Sequence, residues 1–192
     1  MTQKENHIKD IFDKILVTNH WHEGVDEFEK DTEIIKGKIT EIIKELNIKS
    51  VLDAGCYTRP WIKEVDLAGA SYKAIDVSPL VVKDCNANFP DIDCKVANVI
   101  KDKLPKVDLI ICRDVLVHLS NENILKAIPN LLKSCKYILM TTFDNTENVD
   151  IENGNWRPLD LTKEPFNMPK PEMIIFERKW QDKNKYCNLW KI

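Results

Sequence analysis

The chain has 192 residues, of which 43% are hydrophobic and 31% charged, and a formal net charge of −3. That is the length and balance of one soluble globular domain, too short for two comfortable ones. The charges are mixed with no basic block, no apolar run nears the ~20 residues that cross a bilayer, and the charged start Met1-Thr2-Gln3-Lys4-Glu5-Asn6 lacks an apolar signal core, so a nucleic-acid substrate, a membrane span and secretion are not expected.

In chain order, Ile8, Ile11, Phe12, Ile15 and Leu16 fall at helical spacing and predict a helix over residues 1–20, broken by Asn19-His20-Trp21-His22-Glu23-Gly24. A second helix is expected over about 30–46, with Ile34, Ile35, Ile39, Ile42, Ile43 and Leu46 on one face. A first strand follows at 50–54, then a short helix around 60–67, kept short by Pro60 and Gly69. The second strand covers 72–76, and Ser78-Pro79 opens a helix, with proline in a tolerated first-turn position. Strands are expected at 94–97 and 108–112, a helix N-capped by Ser120 running to about 133, and a fifth strand at 137–143.

Residues 144–171 are polar, long and rich in proline, a pattern that in compact domains often marks a functional loop. Strands at 173–179 and 186–192, joined by the polar turn Gln181-Asp182-Lys183-Asn184-Lys185, make a terminal antiparallel hairpin. The alternation of β and α elements predicts an α/β fold: one Rossmann-like, doubly wound domain over 1–192 with a mainly parallel sheet. The six cysteines, Cys56, Cys85, Cys94, Cys112, Cys135 and Cys187, have neither C-x-x-C nor Cys/His zinc spacing, so reduced, mostly buried thiols in a cytoplasmic protein without a metal are expected.

The chemistry concentrates in two places. Ser50-Val51-Leu52-Asp53-Ala54-Gly55-Cys56 runs an apolar strand into an acid and a glycine turn, and Ala74-Ile75-Asp76-Val77 ends the next strand on a second acid. In a βαβ unit the first turn brings backbone close to a nucleotide-like ligand, and the second acid can accept from both ribose hydroxyls. Asp53 reads either as a holder of the first loop, or of the cofactor's amino group, or as a strand-end acid capping the next helix. Gly55 is the close-approach position. The G-x-G-x-x-G spacing that seats a pyrophosphate is missing, which disfavours a nicotinamide-dependent oxidoreductase.

These segments, with Ala97-Asn98-Val99 and the run Asp108 to Leu119, resemble the class I S-adenosylmethionine-dependent methyltransferases over about residues 30–192. The stretches 154–161 and 165–171 look more loosely like a small-molecule or glycan-modifying subgroup. The resemblance implies a seven-stranded sheet with an antiparallel edge, S-adenosylmethionine as cofactor, and a cofactor site built from Asp53, Ala54, Gly55, Cys56, Tyr57, Asp76, Val77, Asn98, Val99, Arg113 and Asp114. The family's first loop usually reads Asp-x-Gly-Cys-Gly-x-Gly. Here Tyr57 and Arg59 stand at the second and third glycines, and Asn98 stands where an acid usually accepts from the adenine amino group. That departure motivates the alternative of a non-catalytic methyltransferase-like binding module.

For the reaction itself, His118 is the candidate general base, or else a histidine packed beneath the cofactor between Leu116 and Leu119. Arg113 and Asp114 stand at the carboxyl end of the fourth strand, where open α/β sheets bind ligands, or simply pair with each other. Trp156 and Arg157 offer a stacking surface and an anion clamp for a small acceptor, such as a phosphorylated or acidic sugar, held by the 144–171 loop, or else are a packing tryptophan and a loop arginine. Residues 1–46 form a lid in this reading. Trp21 lies over the cleft within it, or else anchors the N-terminal helix. The oligomeric state is left open.

Overall fold

The computed structural model describes residues 7–18, 25–57 and 61–192. Helices α1 (His7–Thr18) and α2 (Val25–Glu45) precede strands β1 (Ser50–Ala54) and β2 (Ser71–Asp76). Helix α3 (Pro79–Asn88), strands β3 (Asp93–Val96) and β4 (Leu109–Cys112), helix α4 (Asn121–Leu132) and strand β5 (Tyr137–Phe143) follow, and the hairpin β6 (Phe176–Trp180) and β7 (Lys183–Lys191) ends the chain.

All seven strands form one sheet in the order β3-β2-β1-β4-β5-β7-β6. The first five run parallel, and β7 pairs antiparallel with both β5 and β6. Burial on both faces explains why β1, β4 and β5 read as continuous apolar runs rather than alternating ones. On one face Val51, Leu109, Ile111 and Leu139 pack under Ile35, Ile39, Ile42 and Ile43 of α2. Towards the β3 edge that face continues as Ala74 and Cys94 beneath Val81, Val82 and Cys85 of α3. On the other face Leu52, Ile110, Ile138 and Met140 meet Ile124, Ala127 and Leu131 of α4.

Two helix starts follow the expected capping chemistry. Ser78 Oγ accepts from the Val81 N–H at 3.3 Å with Pro79 in the first turn, and Ser120 Oγ accepts from the Asn123 N–H at 3.4 Å. Asn130, buried on α4, donates to the carbonyls of Val99 (2.8 Å) and Asp102 (2.9 Å), which fixes the helix-free connection from β3 to β4.

Three elements differ from the sequence expectation. The helix expected over 60–67 is one 3₁₀ turn at Trp61–Glu64. The long segment 144–171 is part of the core: Leu159 and Leu161 are fully buried, and with Phe166 and Met168 they cover the sheet where a further helix would pack. Two backbone-level bonds seat it, Phe143 N–H to the Leu159 carbonyl (2.6 Å) and Leu161 N–H to Thr142 Oγ1 (3.1 Å). The hairpin is also tighter than expected. Trp180 pairs with Lys183, so the turn is only Gln181-Asp182, and the polar residues assigned to a turn belong to β7. Their polarity is satisfied inside the protein: Asn184 bonds Asp144 twice, at 2.7 and 2.6 Å, and Lys185 is buried against carboxylates. Among the described residues no helix is long and apolar enough to cross a membrane.

Candidate active site

The carboxyl ends of β1, β2, β4 and β5 bring the candidate residues to one end of the sheet. The β1 turn is pinned to β2, with the Gly55 and Cys56 N–H groups donating to the Ile75 carbonyl at 2.8 and 3.2 Å. Gly55 has φ +91°, and a Cβ there would lie 2.3 Å from Val115 Cγ2. Its glycine is therefore required by backbone conformation and by the close approach of the β4 loop. Tyr57 adopts φ +53°, the left-handed conformation for which the family pattern uses glycine. Holding that conformation without a glycine costs on the order of 1–2 kcal/mol, and the Tyr57 side chain is 38% exposed.

Asp76 accepts from the Ser78 N–H (2.9 Å) and the Tyr57 N–H (3.3 Å). Burial pushes its carboxyl up to about 6, only partly opposed by these backbone donors, and nearby Asp13 adds to the rise. Asp53 is 2% exposed and accepts from the Tyr72 hydroxyl at 2.9 Å. Burial pushes it up to about 7 against the effect of that bond. Its side chain is thus tied to the β2 layer, which favours the loop-holding reading over direct ligand contact. Ala54 is fully buried in the sheet, and Val77 is half-buried beside Asp76. Asn98 is buried, and its side-chain oxygen accepts from the Ile100 N–H at 2.9 Å, closing its own turn. Val99 packs into the α4 core.

Arg113 and Asp114 depart from the cofactor expectation. Arg113 grips Glu177 of β6 with two bonds, Nε to Oε1 (3.0 Å) and Nη2 to Oε2 (2.8 Å), and lies 3.4 Å from Asp114. Lys185 Nζ sits 2.7 Å from Asp114 and 3.1 Å from Glu177. The four charges balance, and the Arg113, Glu177 and Lys185 side chains are at most 4% exposed. Burial alone would raise Asp114, but Lys185 and Arg113 hold it below the usual carboxylate range. These residues form an interior ion cluster, and their charges are committed to one another. The sequence carried no sign that Glu177 and Lys185, more than 60 positions downstream, complete it.

Arg157 also requires correction. Its guanidinium turns inward and donates to the carbonyls of Val149 (3.2 Å), Leu116 (3.3 Å) and Val117 (3.0 Å) and to Asn121 Oδ1 (2.8 Å). It pins the long loop to the turn after β4 and is 7% exposed, a geometry unlike that of an anion clamp. Burial lowers it to about 10. Trp156, its neighbour, does reach the surface. It is 38% exposed and packs edge-on to Trp180 (4.6 Å between ring centres) and Phe143 (5.9 Å), forming an aromatic wall at the end of β5.

His118 lies on the short 3₁₀ turn Leu116–His118, between these parts. Its Nδ1 is 3.0 Å from the Asn155 carbonyl. A carbonyl only accepts, so Nδ1 carries the proton and Nε2 is the basic nitrogen of the neutral ring. Burial lowers the imidazole to about 4 despite the nearby Asp114 carboxylate, so the ring is neutral at pH 7.

Helix α1 supplies residues that the motifs did not identify. Asp13 bonds the Ser78 hydroxyl beside the Asp76 turn. At the other side, a Cβ on Gly154 would meet Ile11 at 2.5 Å and Ile15 at 2.9 Å. The helix therefore spans from the cofactor-side turn to the loop next to His118. Trp21, His20, His22 and Arg59 lie outside the described residues.

The fold and this site define a class I methyltransferase architecture, seven-stranded with β7 reversed. A family model described as "Methyltransferase domain" matches residues 27–173, and the chain belongs to that family. The expected family, fold class and S-adenosylmethionine cofactor are those of this group. Among solved structures, the chain is similar to human N-acetylserotonin methyltransferase in complex with S-adenosylmethionine: TM-score 0.61, 15% identity, covering 86% of this chain and 54% of that one. It is also similar to magnesium protoporphyrin IX methyltransferase from Synechocystis PCC 6803 with bound S-adenosylhomocysteine: 0.61, 13%, 85% and 84%. A third likeness is the N-terminal domain of EvdMO1 in the presence of S-adenosylhomocysteine and D-fucose: 0.60, 12%, 83% and 83%. The chain spans about half the length of the human enzyme and 66% of the methyltransferase domain of bacterial CtHen1-C. No curated protein matches it by sequence.

Proposed function

We propose that this protein methylates a hydroxyl of a small, sugar-like acceptor, using S-adenosylmethionine. The observation that carries the reading is His118: a neutral imidazole with a fixed tautomer, at the carboxyl end of β4, between the cofactor-side turn and the aromatic wall. The cofactor fits the residues present. Asp76 is a half-buried carboxyl whose bonded partners are backbone N–H groups, and donors such as ribose hydroxyls would relieve its desolvation. Gly55 and the Tyr57 backbone would line the cofactor's path, and Asn98 keeps one oxygen lone pair for the adenine amino group.

When bound, the cofactor supplies an electrophilic sulfonium methyl. The chain's own work is alignment, water exclusion and proton removal. Nε2 of His118 accepts the hydroxyl proton, and the Asp114 carboxylate nearby favours the imidazolium that forms. Helix α1 acts as the lid. Trp156 offers an exposed ring for a sugar face, and the EvdMO1 structure was determined in the presence of a neutral sugar, D-fucose. Arg157 is engaged internally and does not offer a clamp for an anion, so neutral sugars are the first compounds to screen.

The test begins with S-adenosylhomocysteine calorimetry, followed by a screen of sugars for methyl transfer. His118→Ala should lower kcat by about 10²–10⁴ while leaving S-adenosylhomocysteine affinity near wild type. An unchanged kcat removes His118 as the base, and a folded protein without cofactor affinity points to the non-catalytic binding module.

A further inference from the structure

The unexplained feature of this molecule is a group of three thiols beneath the cofactor loop. Cys56 follows Gly55 in that loop, Cys85 lies in α3, and Cys94 lies in β3. They are separated by 29 and 9 positions in sequence, and no metal-ligand motif connects them. The fold nevertheless brings their sulfurs together. Cys56 Sγ and Cys94 Sγ are 3.6 Å apart, and all three Sγ atoms lie within 4.8 Å of one another. Each residue is at most 5% exposed.

Three sulfurs around a metal at a bond length of about 2.3 Å stand roughly 3.8–4.0 Å apart, depending on pyramidal or planar geometry. The observed spacing brackets that figure, so shifts of a few tenths of an ångström would complete the set. We infer that Cys56, Cys85 and Cys94 form a binding site for a soft, divalent, closed-shell cation of the zinc group. Thiolates select soft metals, and a d¹⁰ ion accepts three ligands without a geometric penalty from its d electrons. The charge favours a divalent ion over a monovalent one. Each thiol releases one proton to solvent and donates a sulfur lone pair, so a divalent ion with three thiolates carries one negative charge. A monovalent ion would carry two, next to the carboxyls of Asp53 and Asp76. Entry is short, because β3 is the edge strand of the sheet.

Occupation would also fix the loop. The N–H groups of Gly55 and Cys56 bond the Ile75 carbonyl, and a metal bond at Cys56 Sγ ties the same turn to α3 and β3. The site would therefore act on the backbone that Tyr57 and Asp76 share.

The probe is cadmium(II), titrated into the fully reduced protein and followed by ultraviolet sulfur-to-metal charge-transfer absorption and by competition with a chelator. One equivalent should bind, with three protons released per ion. Cys85→Ala and Cys94→Ala should each weaken binding at least tenfold, and Cys135→Ala, outside the cluster, should bind like wild type. Circular dichroism confirms that the variants fold. Hydrogen exchange at the Gly55 and Cys56 amides should slow at least tenfold on loading. Less than half an equivalent bound, or equal binding by the Cys85 and Cys94 variants, overturns the site. Unchanged exchange overturns its effect on the loop.

Discussion

The two halves of the sheet treat buried charge in opposite ways. On the β1–β2 side, buried Asp53 and half-buried Asp76 meet neutral donors, one hydroxyl and two backbone N–H groups, and desolvation pushes them up to about 7 and about 6. On the β4–β7 side, Arg113 and Lys185 meet Asp114 and Glu177 in a closed cluster, and Asp114 stays ionised. Carboxyls held without cations gain from a ligand rich in hydroxyl and amino donors, whereas balanced charges contribute rigidity and offer little to a ligand. In the function proposed above, the ligand binds on the β1–β2 side, where polar groups are left underused, and the β4–β7 side is scaffold for His118.

This contrast is sharpest in the ion cluster. Glu177→Ala leaves Arg113 and Lys185 buried against Asp114 alone, and should cost about 3–5 kcal/mol, measured by urea unfolding. A loss below ~1 kcal/mol would mean that the cluster is hydrated and the halves are alike.

Asp53 tests the other half through pH. Its native pKa of about 7 lies above the unfolded value of 3.8, so the native state binds more protons within that window. Its contribution is full below the unfolded value and is lost as pH rises through about 7. Asp53→Asn keeps an acceptor for the Tyr72 hydroxyl and removes that loss. The variant should be more stable than wild type at pH 8 by up to about 4 kcal/mol, with a flatter stability profile between pH 4 and pH 7. Parallel profiles for the two proteins would show that the carboxyl is not held protonated.

Arg157 belongs with the scaffold. Arg157→Ala removes four hydrogen bonds that tie the long loop to the turn after β4, although the Leu116 and Val117 carbonyls keep backbone N–H donors from Leu119 and from position 157. It should cost roughly 2–3 kcal/mol in thermal or urea unfolding. A variant of wild-type stability that loses only acceptor affinity would return Arg157 to the binding half.

The smallest effect is expected at Tyr57. Tyr57→Gly relieves a left-handed φ of +53° but adds chain entropy, so stability should change by less than about 1 kcal/mol. Cofactor affinity, read by calorimetry with S-adenosylhomocysteine, is the sensitive measure. No change there would place the Tyr57 side chain outside the cleft.

Local pattern was enough for much of this molecule. Burial on both faces makes β1, β4 and β5 legible as apolar runs, and Ser78-Pro79 and Ser120 mark helix starts because capping is settled within four residues. The acid-and-glycine turn and the acid ending β2 are equally local, which is why the candidate cofactor turn could be singled out before any fold was known. The rest required contacts between distant positions. Asn184 and Lys185 look like part of a turn until Asp144, Asp114 and Glu177 are seen to satisfy them within a strand. Arg157 looks like a ligand clamp until three carbonyls surround it, and the 144–171 loop looks solvent-exposed until Leu159 and Leu161 fill the sheet face. Sequence determined where strands, caps and the acid-and-glycine turn lie, because their physics is short-range. Tertiary structure alone decided which polar side chains remain available for chemistry, because a charge is spent or spared by neighbours that the chain brings from tens of residues away.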